Sequence, residues 1–423
     1  MEQFLKQLQT LPEAAELIRR VEEGGCPAAV TGLQSMQRAC IGAAVARAAG
    51  RPAVFVCGDE REARTLAADL RTAAGREPVL LLSREWRLRP GAVSSREWER
   101  SRLAALYALA QGRAPLTVAT ADALLARTLP PDLLKGLAVT LHLGERVDLG
   151  NLTERLLSAG YARCGQVEGV GQFALRGGIL DVFSPLMDQP VRCEFFDDEI
   201  DSMGEFDPAT QRRTKNVKEA LLLPAAEVLP HCAAGGLAGL GETLLALSEK
   251  LAKKPRTEQA AQRLREDGER LKNGADPGGM DRYLAAVYPQ VTAGVHYLPR
   301  DGVVFLCESG RVDERIKGAL LQTQQDVETL LEAGVMAGEY ARLCLSAEEL
   351  YAALEDFPVV MASALPTSRY PLRPKGLLSM NVRQLSSYGG SLEAAVSDLT
   401  HYRENGSAGL VLCAGEGRAK NLQ

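Results

Sequence analysis

Short apolar runs alternate with amphipathic stretches along the first 150 residues. Ala28–Val30, Pro52–Cys57, Val79–Leu82, Leu116–Ala119 and Ala138–Leu143 read as strands, and Gln37–Ala49, Glu60–Ala74, Ser94–Gln111 and Ala121–Ala126 as the helices between them. A preceding helix, Glu13–Glu23, is stopped by Gly24-Gly25. Strands that are apolar throughout, rather than alternating, are buried on both faces. The pattern therefore predicts a right-handed parallel sheet covered by helices.

The period changes between residues 151 and 227. After a helix at Asn151–Ala159, the runs Phe173–Leu175 and Gly178–Phe183 are separated by Arg176 and Gly177, and Val191–Phe196 is turned back by Asp197-Asp198 into Glu199–Phe206. Four strands this close together predict a small antiparallel sheet. Charged helical sequence follows from Glu242 to Lys272, broken at Pro255, and its charge pattern alone reads as a solvated hairpin. The buried-strand pattern then resumes at Gly302–Cys307 and Val359–Ala362, with helices at Val312–Ala333 and Ser346–Glu355. The expected fold class is thus α/β, with a discontinuous parallel-sheet domain (1–150 and 228–365) interrupted by a β-rich insert (151–227). Residues 366–380, rich in Pro, Arg and Ser, read as a linker, and 381–423, with a strand at Gly409–Cys413, as the start of a further, truncated α/β domain.

Composition changes this picture little. With 46% apolar and 24% charged residues the 423-residue chain is of ordinary globular composition, and no apolar run is long enough to span a bilayer; a cytoplasmic protein without membrane partners is expected. A net charge of −5 argues against a surface dominated by nucleic acid. The nine cysteines lie singly, without a C-x-x-C pair, so buried free thiols are expected and a structural zinc is not.

Candidate chemistry lies in three places. The turn Thr31–Met36 between a strand and a helix is the setting of a phosphate-binding loop, yet beyond Gly32 the positions of the loop's Gly, Lys and Ser/Thr are Gln34, Ser35 and Met36. Without the lysine no cation reaches the β/γ-phosphates, and a methionine offers Mg²⁺ no hydroxyl; no ATP site and no cofactor are expected here. Arg84, Arg87, Arg89, Arg96, Arg100 and Arg102 interleave with Trp86 and Trp98 and could grip a DNA strand, against the reading that Glu85, Glu97 and Glu99 neutralise them on a solvated helix face. Glu194, Asp197, Asp198 and Glu199 could suggest a metal, but paired aspartates at a hairpin turn are ordinary turn-formers and no histidine is close in sequence. No catalytic residue is nominated.

Four runs in the insert carry a resemblance: GYAR (160–163), FALRGGILDVF (173–183), RCEFFDDEI (192–200) and FDPATQR (206–212). Together they resemble the UvrA-binding module shared by the repair helicase UvrB and the bacterial transcription-repair coupling factors (Mfd). The resemblance implies UvrA as partner, with Arg163, Arg176 and Phe183 at the contact, although UvrB has a further arginine where this chain has Ala174. Within the sheet itself, Arg176 could instead pair with Asp181 or Glu194, and Phe183 could fill the core. The resemblance further implies an N-terminal, UvrA-recruiting region with a degenerate helicase-like domain that is not itself an enzyme. RNA polymerase, double-stranded DNA, ATP and Mg²⁺ would then belong to motor parts that this chain lacks. A UvrB-like ATP-driven helicase is the alternative, and it requires the intact phosphate loop.

Overall fold

A computed structural model describes residues 1–89, 91, 96–382, 388, 390–407, 411, 417 and 420, with the side chains of Arg96 and Glu97 outside the description. In chain order the strands are β1 (Ala28–Thr31), β2 (Ala53–Cys57), β3 (Val79–Leu81), β4 (Leu116–Thr120), β5 (Val139–His142), β6 (Ala162–Arg163), β7 (Gln172–Arg176), β8 (Ile179–Val182), β9 (Val191–Phe196), β10 (Glu199–Phe206), β11 (Arg213–Asn216), β12 (Glu219–Leu222), β13 (Val303–Cys307), β14 (Val359–Ser363) and β15 (Gly376–Ser379).

The expected parallel sheet is present as seven strands in the order β15-β1-β14-β13-β2-β4-β3. The two strands that return after the insert lie between β1 and β2, with Val304 level with Val54 and Val359, and Ala28 level with Val360. β1, β2, β13 and β14 are apolar and almost wholly buried, as a sheet covered on both faces requires. Phe55 stacks on Phe305 across β2 and β13 at 4.8 Å between ring centres. The segments before and after the insert are therefore interleaved in one sheet, and the core cluster on each of its two faces draws on both.

Two expectations change. Ala138–Leu143 does not join the parallel sheet: β5 pairs antiparallel with β12 in a separate two-stranded ribbon, so the inserted unit begins before its first helix. Period and length cannot distinguish a short strand of one sheet from that of another. Residues 366–380 are not all linker, since β15 extends the sheet in register with β1 and Met380 is buried. The helices Gly236–Leu251 and Glu258–Lys272 pack into the parallel-sheet domain, as the expected return of that domain over 228–365 requires, and not as the solvated hairpin that their charge pattern alone suggests. A Cβ built on Gly241 would lie 2.7 Å from the Gly268 carbonyl oxygen, so the two backbones meet closely, and Leu240, Leu244, Leu264 and Leu271 join the main core. Buried Asp267 accepts from Arg282 and from the Tyr283 hydroxyl, both at 2.5 Å. The helix Leu392–Glu404 has no buried side chain, and apart from Val411 the strand expected at Gly409–Cys413 lies outside the described residues.

The insert is a six-stranded sheet in the order β11-β10-β9-β8-β7-β6, antiparallel except for the edge pair β6 and β7. Its inner face, including Phe173, Leu180, Val182, Cys193, Ile200 and Met203, packs with Leu152 and Leu156 of the entry helix and with Leu141 and Leu222 of the ribbon.

A buried ionic cluster joins insert and parallel-sheet domain. Glu227 accepts from Arg102 Nε at 2.9 Å and from the Thr128 hydroxyl at 2.5 Å, and lies 3.4 Å from Arg84. Arg84 also reaches Asp281 at 3.0 Å and lies over the Trp86 ring, while Arg87 pairs with Glu99, which accepts from the Glu227 amide. Arg100 donates to the carbonyls of Pro185 and Met187 in the insert. Arg84 and Arg102 are thus neither a DNA grip nor part of a solvated helix face, since their partners Glu227 and Asp281 come from distant sequence, whereas Arg87 is neutralised by Glu99 as expected. Burial acts to raise the Glu227 carboxyl, but Arg102, Arg84 and the Thr128 hydroxyl outweigh it and hold it below the ordinary 4.5.

Removing this carboxylate leaves two guanidinium groups, each with 3% of its side chain exposed, short of a counter-charge. Glu227→Ala is expected to lower stability by about 3–5 kcal/mol in urea unfolding. A depressed folded-state pKa stabilises above the unfolded value and is lost as pH falls through the folded one. Acidification below 4.5 should therefore narrow the gap between wild type and Glu227→Ala.

Candidate functional site on the inserted sheet

Strand alternation decides what the insert shows to its surroundings. Cross-strand pairing places Ala174, Asp181, Arg192 and Gly204 in one outward row and Arg176, Ile179, Glu194 and Ser202 in the next. Asp181, fully buried, anchors this face. It accepts from Arg176 at 2.6 Å and from Arg192 at 2.6 and 2.8 Å, the latter a two-point pair of the kind a guanidinium fork favours. The hydrogen bonds that Arg192 donates to Asp181 raise its guanidinium pKa, and that side chain also covers the Phe206 ring at 4.6 Å. Arg176 is held at one end, yet 46% of its side chain remains exposed, so it is a pre-oriented cation at the surface.

The three residues singled out from sequence do not come together. Phe183 does point to the outer side, but the loop carrying Val167 and the turn after Phe206 seal it. It is 7% exposed, packed in a small cluster with Val167, Ala174 and Phe206. Phe183 is accordingly a core residue, which corrects its expected place at the contact. Ala174 lies in the same cluster and is fully buried. Arg163, on β6, is level with Phe173 and by register belongs to the opposite face from Arg176. It is exposed.

The aromatic that sequence reasoning passed over is Phe196. It closes β9 with 79% of its surface exposed, before a turn whose Asp197 has φ +59°. The tips of the two hairpins touch, as the Phe195 amide donates to the Gly178 carbonyl at 2.7 Å. Arg176, Ile179 (37% exposed) and Phe196 therefore gather at one end of one face. The signal was present in the alternation: Arg192, Glu194 and Phe196 share a face opposite to buried Val191 and Cys193, so a phenylalanine there has no core to enter.

Among the described residues no cluster of three or more metal-ligating side chains occurs. Glu194 accepts from the Ser202 hydroxyl at 2.7 Å.

The loop Thr31–Met36 makes its contacts within the protein itself. The amides of Gly32 and Leu33 donate to the carbonyls of Ala364 and Ser363, each at 3.2 Å, and the Gln34 amide donates to Gln37 Oε1 at 2.8 Å. Ser35 donates to Asp69 at 2.5 Å, and Met36 packs on the core beside Cys40. Close by, Arg38 pairs with Glu308 at 2.9 Å and lies 3.5 Å from Glu62, whose carboxyl burial pushes up despite that arginine. The carboxyl ends of β2, β13 and β14 are filled by this ion pair.

Residues 139–227 match the family model of the UvrB interaction domain, the ribbon and six-stranded sheet together. The class is thus set by a domain of repair proteins carried on a parallel-sheet scaffold. Over most of its length the chain is similar to transcription-repair-coupling factors: that of Myxococcus xanthus at 31% identity over 92% of this chain and 34% of the relative, that of Bacillus subtilis at 25% over 96% and 35%, and that of Staphylococcus aureus strain USA300 at 26% over 76% and 27%. The similarity is to part of these transcription-repair-coupling factors: the chain spans about a third of the length of the curated relatives it matches, and residues 139–227 carry the UvrB interaction domain. Among the described residues no helix is long and apolar enough to cross a membrane.

Proposed function

We propose that this chain recruits UvrA for a transcription-repair coupling factor, in the cytoplasm, linking stalled RNA polymerase to nucleotide excision repair. The observation that carries the reading is the patch of Arg176, Ile179 and Phe196 on a domain of the UvrB interaction family. An exposed aromatic beside a cation held in place is the composition of an interface hot spot, because little side-chain freedom is left to lose on binding. Polymerase and double-stranded DNA contacts, and ATP-driven translocation with Mg²⁺, are assigned to other parts of a protein of the relatives' length. The helicase alternative draws no support from the loop at Thr31–Met36, where the amides of Gly32, Leu33 and Gln34 are already engaged.

Charge reversal and truncation separate contact from core. Arg176→Glu and Phe196→Ala should each weaken UvrA capture by about 2 kcal/mol while leaving the fold intact. Phe183→Ala should instead destabilise folding by about 3 kcal/mol. Arg163→Glu should change binding by less than about 0.5 kcal/mol if one face makes the contact. UvrB should compete with the chain for UvrA. Wild-type affinity in both Arg176→Glu and Phe196→Ala contradicts the assignment.

The same reading makes the chain catalytically silent towards ATP. Calorimetry with ATP and Mg²⁺ should give no binding heat; micromolar binding abolished by a substitution at Gln34 or Ser35 would contradict it.

A further inference from the structure

We propose that the vestigial phosphate loop is a docking site for the chain's own segment Lys375–Met380, which it holds as a latch on the path leading out of the parallel-sheet domain. This is independent of the UvrA reading. Four observations meet there. β15 runs in register along the whole of β1, from Ala28 level with Gly376 to Thr31 level with Ser379. The ends of the segment are tied down: the Lys375 amide donates to the Pro27 carbonyl at 2.7 Å and its ammonium to the Gly24 carbonyl at 3.2 Å, while the Met380 amide donates to the Thr31 carbonyl at 3.0 Å. Met380, 6% exposed, enters the cluster that contains Leu33 and Ile41. Finally, Gly32 has φ +91°, and a Cβ built there would lie 2.2 Å from the Met380 carbonyl oxygen.

The last point carries the argument furthest. A glycine in such a loop normally lets backbone approach a phosphate closely. Here the group that approaches is the carbonyl of Met380, and any side chain at residue 32 would both strain the backbone and push the latch off. The latch is also shallow. β15 is an edge strand of four residues, and Leu377 is 69% exposed, so few apolar contacts oppose its opening relative to central β13. What β1 and the loop together hold is an extended peptide strand, paired along β1 and closed at Gly32 by one buried methionine.

Native-state hydrogen exchange and limited trypsin cleavage after Lys375, on the chain as it stands, test this from both sides of the contact. Gly32→Ala and Met380→Gly are each expected to speed exchange of the Met380 amide and cleavage after Lys375 at least about tenfold, with the β13 amides Val303–Leu306 unchanged. A disulfide between Thr31→Cys and Ser379→Cys should slow cleavage below wild type. The proposal is overturned if both single variants keep wild-type protection at Met380, or if protection at Met380 and at β13 falls together, since the segment is then an inseparable part of the core. It is equally overturned if the disulfide forms and leaves cleavage unchanged.

Discussion

Glu227 closes the inserted domain, and its carboxylate, 2% exposed, lies between the guanidinium groups of Arg102 and Arg84. A buried charge is tolerated only when it is paired and its remaining lone pairs are satisfied, and here Arg102 and Thr128 hydrogen-bond to it while Arg84 adds a third, close charge. All three belong to the first half of the parallel-sheet domain, so the geometry that satisfies Glu227 also fixes where the insert leaves that domain. Arg100, reaching the carbonyls of Pro185 and Met187, holds the insert at a second point. The relation of the small sheet to its scaffold is therefore set by directional contacts. Its outer face is presented as a rigid surface.

Interleaving makes the arrangement hard to undo. Because β13 and β14 lie between β1 and β2, the chain must complete the insert and return before the sheet closes. The ion pair Arg38–Glu308 then joins helix and strand ends that are 270 residues apart in sequence. The ends of the sheet strands are thereby tied to each other by the chain's own side chains.

Much of this was legible in the sequence. Continuous apolar runs such as Val303–Cys307 and Val359–Ser363 announced strands buried on both faces, and the change of period announced the insert. The four insert motifs announced its family. Long-range pairing was not legible. Val139–His142 has the composition of a sheet strand, and only its partner Glu219–Leu222 shows which sheet. Arg84 and Arg102 looked like surface cations because Glu227 and Asp281, which neutralise them, are more than a hundred residues away. Phe183 and Phe196 both end strands and both point outward; the loop that buries one and leaves the other bare is a tertiary fact. The β15 segment hid behind its proline-rich approach, since the residues that pair with β1 are few.

The central claim is that this chain meets UvrA through one end of the insert's outer face, with the parallel-sheet domain acting as support. The most direct measurement is the hydrogen-exchange footprint of UvrA on the chain. The account predicts added protection at Arg176–Ile179 and Glu194–Glu199, and none at Thr31–Met36 or along the helices Gly236–Leu251 and Glu258–Lys272. A footprint centred on the parallel-sheet domain, with the β7–β8 and β9–β10 tips unchanged, would contradict it.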